Sequence, residues 1–156
     1  MKTDDPELEK RRQEMFDRAQ KMDTLILAVL KTHLLAEQTM DGYMTASGLK
    51  KRWIKKRFSD KMKKCKLLAK GEDKDPLWDV LKAANCLRIK IAHTLDIAEI
   101  KEKMAILKDK YFACLSQKQV DGLKDQPDDY IAMSACSTCA GFIATLESRT
   151  HEATAG

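Results

Sequence analysis

Apolar side chains recur at three- and four-residue steps along most of this chain, and this helical period most limits the folds open to it. The segment 24–44 is typical, because Ile26, Val29, Leu30 and Leu34 fall at such steps. Helix-breaking residues are few, with six Gly and three Pro in 156 residues, whereas Lys, Glu, Leu, Ala and Met are plentiful. The pattern predicts an all-α fold, a single-domain bundle of five to six helices.

Start and stop signals divide the N-terminal half into three predicted helices. Pro6, preceded by two Asp residues, predicts the start of a polar helix of about 15 residues. Asp23 is predicted to cap a second helix that weakens near Gly42. Ser59 is predicted to cap a third helix that stops at Gly71.

Two more helices are predicted in the next third of the chain. Asp75-Pro76 is a helix-start signal, and the helix that follows is predicted to run to about Thr94. Asp96 has Glu99 at capping-box spacing, so we expect a further helix from there to about Gln119.

The last predicted helix follows a break at Pro127 and is rich in Ala, Ser and Cys, whose small side chains allow close packing. Cys136 and Cys139 form a C-x-x-C on one face of this helix. No second pair and no nearby His accompany them, which favours packing residues over metal or redox chemistry. Residues 1–150 are therefore interpreted as one domain, and 151–156 as a frayed C-terminal tail.

Size and composition narrow the class of protein. A chain of 17.7 kDa with 44% apolar and 34% charged residues has material for one core and is not disordered. No apolar run approaches the roughly 20 residues that span a bilayer, and the charged N-terminus does not resemble a signal peptide. Five cysteines, an odd number without the spacing pattern of a disulfide framework, fit free thiols in a reducing compartment. We predict a cytoplasmic protein with no membrane partner.

Several enzyme classes are excluded by missing motifs. The sequence has no phosphate-binding P-loop, no dinucleotide fingerprint, no H-E-x-x-H zinc site and no G-x-S-x-G elbow. No cofactor and no metal site are predicted. The net charge of +5 is compatible with a local site for phosphates but does not by itself identify a partner.

Arg88 and His93 are the pair of side chains that merits a chemical interpretation. Five steps on a helix place them about 140° apart, and the long Arg side chain has the reach to bend toward the imidazole. By itself the pair also fits a boundary His and a surface Arg at the end of an amphipathic helix. Its surroundings in the sequence are therefore needed to choose between the two interpretations.

Three sequence blocks around this pair resemble, in order, those of the HEPN family, the helical "higher eukaryotes and prokaryotes nucleotide-binding" domains. Residues 32–37, T-H-L-L-A-E, are similar to the family's early H-L-x-x-E helix, and residues 58–62, F-S-D-K-M, to its middle F-x-x-K element. Residues 85–93, N-C-L-R-I-K-I-A-H, are similar to its N-x-L-R…A-H signature. The resemblance covers about residues 23–115 and implies an HEPN-like bundle.

In that family the Arg-x(4–6)-His pair is a ribonuclease site that works without metal and is often assembled across a dimer. The resemblance makes Arg88 and His93 the catalytic pair, with His93 as the acid/base group and Arg88 as the phosphate clamp. Asn85, one turn before Arg88, is assigned to position a hydroxyl or phosphate. A C2 homodimer would place two Arg and two His around one groove. Ile89 stands where family members commonly have a polar residue, so a noncatalytic helical module remains an alternative interpretation.

His33 and Glu37 are further supporting candidates, because they lie four residues apart on one helix face. They are expected to hydrogen-bond each other, and Glu37 to pair with Arg88 and orient its guanidinium. A structural polar cluster that fixes how two helices pack is an equally good interpretation.

The segment from Lys50 to Lys70 is the densest positive stretch, with eleven Lys or Arg against the single acid Asp60. It offers a track for a nucleic-acid backbone, although such runs are commonly solvated helix faces. Trp53 and Phe58 within it are interpreted as core residues more readily than as base-stacking platforms. The predicted nucleic-acid-binding residues are Lys51, Arg52, Lys55, Lys56 and Arg57.

Three functional hypotheses follow. The first is an HEPN-like, metal-independent endoribonuclease of a toxin–antitoxin or phage-defence system, whose partners are RNA, a second copy of the chain and a cognate antitoxin. The second is a noncatalytic HEPN-like dimer that acts as a protein-interaction module, and it predicts loss of the dimer when Leu87 or Ile91 is made charged. The third is a helical nucleic-acid-binding regulator that uses the segment Lys50 to Lys70.

Overall fold

The computed structural model describes residues 5–94 and 96–156, with the side chain of Lys21 left out. These residues form α-helices and no strand, so the predicted all-α bundle is confirmed. A short 3-10 turn, Lys51–Trp53, lies between the first two helices. The helices are α1 Pro6–Ala46, α2 Phe58–Leu68, α3 Leu77–His93, α4 Ile97–Phe112, α5 Gln117–Leu123 and α6 Asp128–Ala155.

Helix α1 is continuous over 41 residues, so the predicted division at Asp23 is wrong. No Pro and no Gly other than Gly42 follow Pro6 in this stretch, and nothing therefore interrupts the backbone hydrogen bonds at Asp23. The predicted start is confirmed, because the Asp5 carboxylate accepts a hydrogen bond from the Glu7 N–H at 3.0 Å.

The predicted boundaries are wrong at the start of α2 and correct at both ends of α3. Ser59 lies inside α2 rather than at its cap, because the helix begins at Phe58 after an extended Arg57. At the start of α3 the prediction is confirmed: the Asp75 carboxylate accepts a hydrogen bond from the Leu77 N–H at 2.9 Å. Helix α3 ends at His93, close to the predicted end.

Helix α4 begins as predicted, with the Asp96 carboxylate accepting hydrogen bonds from the backbone N–H groups of Ala98 and Glu99. It ends at Phe112, however, and not near Gln119. The reason is a capping box at Ser116, whose hydroxyl accepts from the Gln119 N–H while the Gln119 side chain accepts from the Ser116 N–H. This reciprocal pair stabilises a new helix start, which becomes α5.

Helices α1 and α6 form the long central pair of the bundle and run parallel. Residues near the start of α6, such as Asp128, share a cavity wall with Met22 of α1, while Glu147 near its end lies against Gly42. Helix α6 continues to Ala155 through the segment predicted to fray. Its core face consists of Ile131, Ala132, Ala135, Cys136, Cys139, Ala140, Ile143 and Leu146.

The five cysteines are free thiols, in line with the sequence prediction. Cys136 and Cys139 lie in the core, and burial raises the pKa of both thiols. Both are therefore uncharged packing residues at neutral pH.

Helix α6 is long and apolar enough to cross a membrane by the measures of length and composition alone. In the described structure 44% of its most apolar window is buried among the other helices. A core helix of a soluble bundle has the same two properties.

Candidate functional site

The candidate site begins with His33, which lies where α1, α2 and α3 meet and is 5% exposed. Its Nε2 lies 3.1 Å from Oδ1 of Asn85 on α3, an arrangement in which the imidazole N–H donates to the amide oxygen. The other side of the contact is aromatic, since the ring of Phe58 on α2 stacks on the imidazole at a centroid distance of 3.9 Å. His33 thus joins three helices through one hydrogen bond and one stacking contact.

The surroundings of His33 favour the neutral imidazole. Burial is the main cause and lowers its pKa, the hydrogen bond to Asn85 acts in the opposite direction, the positive charge of Arg88 lowers the pKa further, and Glu37 raises it. The net shift is downward from the ordinary value of about 6.5. At neutral pH His33 is therefore an uncharged residue that holds helices together.

A buried lysine forms the second part of the cluster. Lys61 on α2 is 2% exposed, and its ammonium lies 3.0 Å from Oε1 of Glu37. It also lies 2.7 Å from Oδ1 of Asp41 as an ion pair without hydrogen-bond alignment. Burial lowers the pKa of Lys61, but the carboxylates of Asp41 and Glu37 outweigh it and the net shift is upward. Lys61 therefore stays charged between two anions of α1.

These contacts correct two predicted pairs. Glu37 binds Lys61, not Arg88, because the parallel arrangement of α1 and α2 brings the ammonium of Lys61 to this face of α1. His33 does not bond Glu37, because its ring faces Asn85 on α3. The sequence analysis missed Lys61 as a partner because it was counted within the positive segment, although the F-x-x-K spacing places Phe58 and Lys61 on one face of α2.

Asn85 lies in the core, and its amide oxygen is engaged by His33. The predicted contact between Asn85 and a substrate hydroxyl or phosphate does not fit this position, because the side chain does not face solvent. Its contact instead fixes the rotation of α3 against α1. The next turn of α3 carries Arg88, whose charge acts on His33.

Arg88 and His93 are both accessible from solvent. Arg88 is half-buried and close enough to His33 to affect its protonation, while His93, the last residue of α3, is exposed. Within the part of the chain that the structure describes, neither side chain takes part in an ion pair or a side-chain hydrogen bond. On the axis of α3 they are about 140° apart and about 7.5 Å from each other along the helix. Ile89, between them, is 42% exposed.

The predicted nucleic-acid-binding residues surround the 3-10 turn and the chain that leads into α2, and all of them are exposed. This segment adjoins the cluster because Phe58, which follows it directly, stacks on His33. Phe58 is buried and is therefore a core residue as predicted, whereas Trp53 is only half-buried. The exposed cations are Lys51, Arg52, Lys55, Lys56 and Arg57.

Comparison with known proteins found no family model, no curated protein and no solved structure that matches the chain. Among residues 5–94 and 96–156, no group of three or more His, Cys, Asp or Glu side chains could hold a metal ion. The functional argument therefore depends on the cluster itself and on the resemblance of its sequence blocks to the HEPN family.

Proposed function

We propose that the protein is an HEPN-like endoribonuclease that cleaves RNA without a metal ion, with Arg88 and His93 as its catalytic pair. The observation that carries this proposal is the contact between the three sequence blocks. His33 of the first block bonds Asn85 of the third, and Phe58 of the second stacks on His33. Residues distant in sequence thus form one buried cluster directly beneath the exposed part of α3.

The proposed chemistry uses the two accessible side chains. His93 as a base takes the proton of a ribose 2′-hydroxyl, whose oxygen attacks the neighbouring phosphorus. The bond from phosphorus to the 5′-oxygen breaks, and an imidazolium returns a proton to that leaving oxygen. The guanidinium of Arg88 stabilises the additional negative charge on the phosphate in the transition state. The products are a 2′,3′-cyclic phosphate and a free 5′-hydroxyl.

A second copy of the chain completes the proposed site. Arg88 and His93 diverge by about 140° around one helix, so one copy directs them to different sides of α3. In a C2 homodimer whose two-fold axis runs along the apposed α3 helices, Arg88 of one copy faces His93 of the other, and the four side chains make two equivalent sites. The proposed partners are RNA, this second copy and, in a toxin–antitoxin or phage-defence setting within the cytoplasm, a cognate antitoxin.

The test is cleavage of single-stranded RNA by the purified chain in EDTA. We expect strand cleavage that stops when the RNA carries 2′-deoxyribose at the scissile position. Arg88→Ala and His93→Ala should each lower the rate about a hundredfold or more, while both proteins keep their thermal stability. Arg12→Ala and His151→Ala are matched controls, because both residues are exposed and far along the sequence from α3. Cleavage that survives either of the first two substitutions contradicts the proposal.

The second candidate function is a noncatalytic HEPN-like dimer, and the exposed Ile89 favours it. An apolar side chain at this position cannot hydrogen-bond a substrate but can pack against a second copy. Leu30 and Leu34 on α1 are also exposed. Leu87 and Ile91, in contrast, lie in the core, so charging them tests folding rather than the interface.

The interface is tested by Ile89→Asp, with Ile106→Asp as a control of equal exposure on α4. We expect the first substitution to shift the sedimentation coefficient from dimer to monomer and the second to leave it unchanged. A dimer with no RNA cleavage, lost in Ile89→Asp, supports the noncatalytic function over the ribonuclease. A chain that is monomeric at all concentrations contradicts both.

A further inference from the structure

A second surface, away from Arg88 and His93, has the chemistry of a nucleotide-binding site. An open cleft of about 380 Å³ lies between the 3-10 turn and α2. One wall is the half-buried indole of Trp53, and the ammonium of Lys64 lies 5.2 Å from the centre of this ring. The rest of the lining consists of Lys56, Asp60, Lys63 and Leu67.

The charges in this cleft are not neutralised within the fold. Lys56, Lys63 and Lys64 form no ion pair with a carboxylate in the described part of the chain, and Asp60 is the only acid in the lining. More cations flank the cleft, among them Lys51 and Lys55, both exposed. The cleft therefore attracts a polyanion, and several of its lysines can contact phosphates at the same time.

Trp53 gives the cleft a feature that an ordinary lysine surface lacks. The indole is accessible at the cleft, and an aromatic ring beside lysines is the combination that binds single strands, because bases stack on the ring while phosphates meet the cations. In duplex RNA the base faces are stacked on neighbouring base pairs, so they cannot stack on the indole. Asp60 can accept a hydrogen bond from a ribose hydroxyl or an exocyclic amino group.

We infer that the Trp53 cleft is a binding site for single-stranded RNA, in which one base contacts the indole of Trp53 and its phosphates contact Lys56, Lys63 and Lys64. This site rests on the proposed RNA substrate but lies apart from the catalytic pair. The site sets the affinity for substrate, not the cleavage chemistry.

Tryptophan fluorescence tests the inference directly. The chain has two tryptophans, and Trp78 is buried with its indole N–H bonded to the Glu72 carbonyl, so only Trp53 can respond to a bound base. The titration uses the full chain with His93→Ala, to keep the RNA intact, and a single-stranded oligonucleotide of about ten nucleotides. We expect quenching on binding, about tenfold weaker affinity with Trp53→Ala, and affinity within about threefold of the parent with Trp53→Phe.

A matched pair of triple substitutions separates this cleft from general surface charge. Replacing Lys56, Lys63 and Lys64 by Gln should weaken binding and reduce its salt dependence. The control replaces three lysines that line a smaller groove between α3 and α4 by Gln and should change binding little: Lys82, Lys103 and Lys110.

Four outcomes overturn the inference: unchanged affinity with Trp53→Ala, equal losses in the two triple variants, duplex RNA that binds as tightly as the single strand, and quenching by phosphatidylserine vesicles but not by RNA. Its failure is distinct from that of the proposed function. If the wild-type chain cleaves RNA and this cleavage does not depend on Trp53 or these lysines, the binding site is disproved but the ribonuclease is not. If RNA binds at Trp53 but the wild-type chain does not cleave it, the ribonuclease is disproved but the binding site is not.

Discussion

His33, which the sequence analysis gave as a supporting residue of the site, serves the fold. It is buried, bonded to Asn85 and stacked on Phe58, and burial together with the nearby Arg88 lowers its pKa. Protonation of this imidazole would place a second positive charge beside Arg88 without access to water. His93, in contrast, is exposed at the end of α3 and has no side-chain hydrogen bond within the described part of the chain.

This difference predicts a pH dependence of stability. Because the pKa of His33 is lower in the folded state, the unfolded chain binds more protons as the pH falls below about 6.5, and the free energy of unfolding decreases there. The contribution is fully present above that pH. In His33→Gln the decrease between pH 7.5 and pH 5 should be smaller, whereas His151→Ala should retain it. Urea unfolding at the two pH values measures this decrease in the free energy of unfolding. An equal decrease in the parent and in His33→Gln contradicts the lowered pKa of His33.

Lys61 carries the second prediction at the scale of the residue. Lys61→Met removes a buried cation and leaves Glu37 and Asp41 facing each other without it, so the free energy of unfolding should fall by about 3 kcal/mol. Lys63→Met, an exposed change on the same helix, should alter it by less than about 0.5 kcal/mol. Adding Glu37→Gln and Asp41→Asn to Lys61→Met should recover part of the loss. Urea denaturation of the four proteins is the measurement, and equal stability of the two Met variants contradicts the role of Lys61.

The sequence located this cluster but not its pairing. Helical spacing and the resemblance brought His33, Glu37 and Asn85 into consideration together. The choice of partners, with Lys61 for Glu37 and Asn85 for His33, depends on how far α2 and α3 are shifted along α1. That shift results from the packing of many side chains, and no local signal encodes it.

At the scale of the element, α1 divides into two parts with different surroundings. From Pro6 to Gln20 every residue is exposed, including the apolar Met15 and Phe16, whereas from Val29 onward one face is in the core. The first part is stabilised by local contacts, such as the ion pairs Arg11–Glu7 and Arg12–Glu9. Exposed pairs of this kind contribute little to the stability of the fold.

Removal of residues 1–16 should therefore leave the free energy of unfolding within about 0.5 kcal/mol of the parent value. Asp17 would then lie at the new start of α1, where an acidic residue is favourable. The helical signal in far-UV circular dichroism should decrease in proportion to the helical residues removed, and the urea midpoint should stay the same. A clear loss of stability in the shortened chain would show that the exposed turns pack against something in solution, such as a second copy.

Helix boundaries could be predicted where a side chain acts on its own backbone. Asp5, Asp75 and Asp96 accept hydrogen bonds at three helix starts, and the sequence identified each of them. Among the boundaries that were wrongly predicted, two failed for opposite reasons. Asp23 has the chemistry of a cap but lies within an uninterrupted helix, whereas the capping box at Ser116 was passed over because the apolar period continues across it.

At the scale of the whole molecule, the fold determines how one copy presents the two side chains of the proposed site. The buried contacts of His33 and Lys61 fix α3 against α1 and α2, and α3 then carries Arg88 and His93 on diverging sides. The sequence supplied the two residues and their angular separation. Three features could be learned only from the structure: both side chains are accessible, neither has a partner within the described chain, and Ile89 between them is exposed.

The most direct test of this account mixes two inactive variants. Arg88→Ala and His93→Ala chains are combined in equal amounts, allowed to exchange subunits, and assayed for RNA cleavage in EDTA. If Arg88 of one copy acts with His93 of the other, half of the dimers are mixed and each has one intact site, so activity should return to about a quarter of the wild-type value. A mixture that stays inactive while the wild-type chain cleaves RNA contradicts a site shared between two copies.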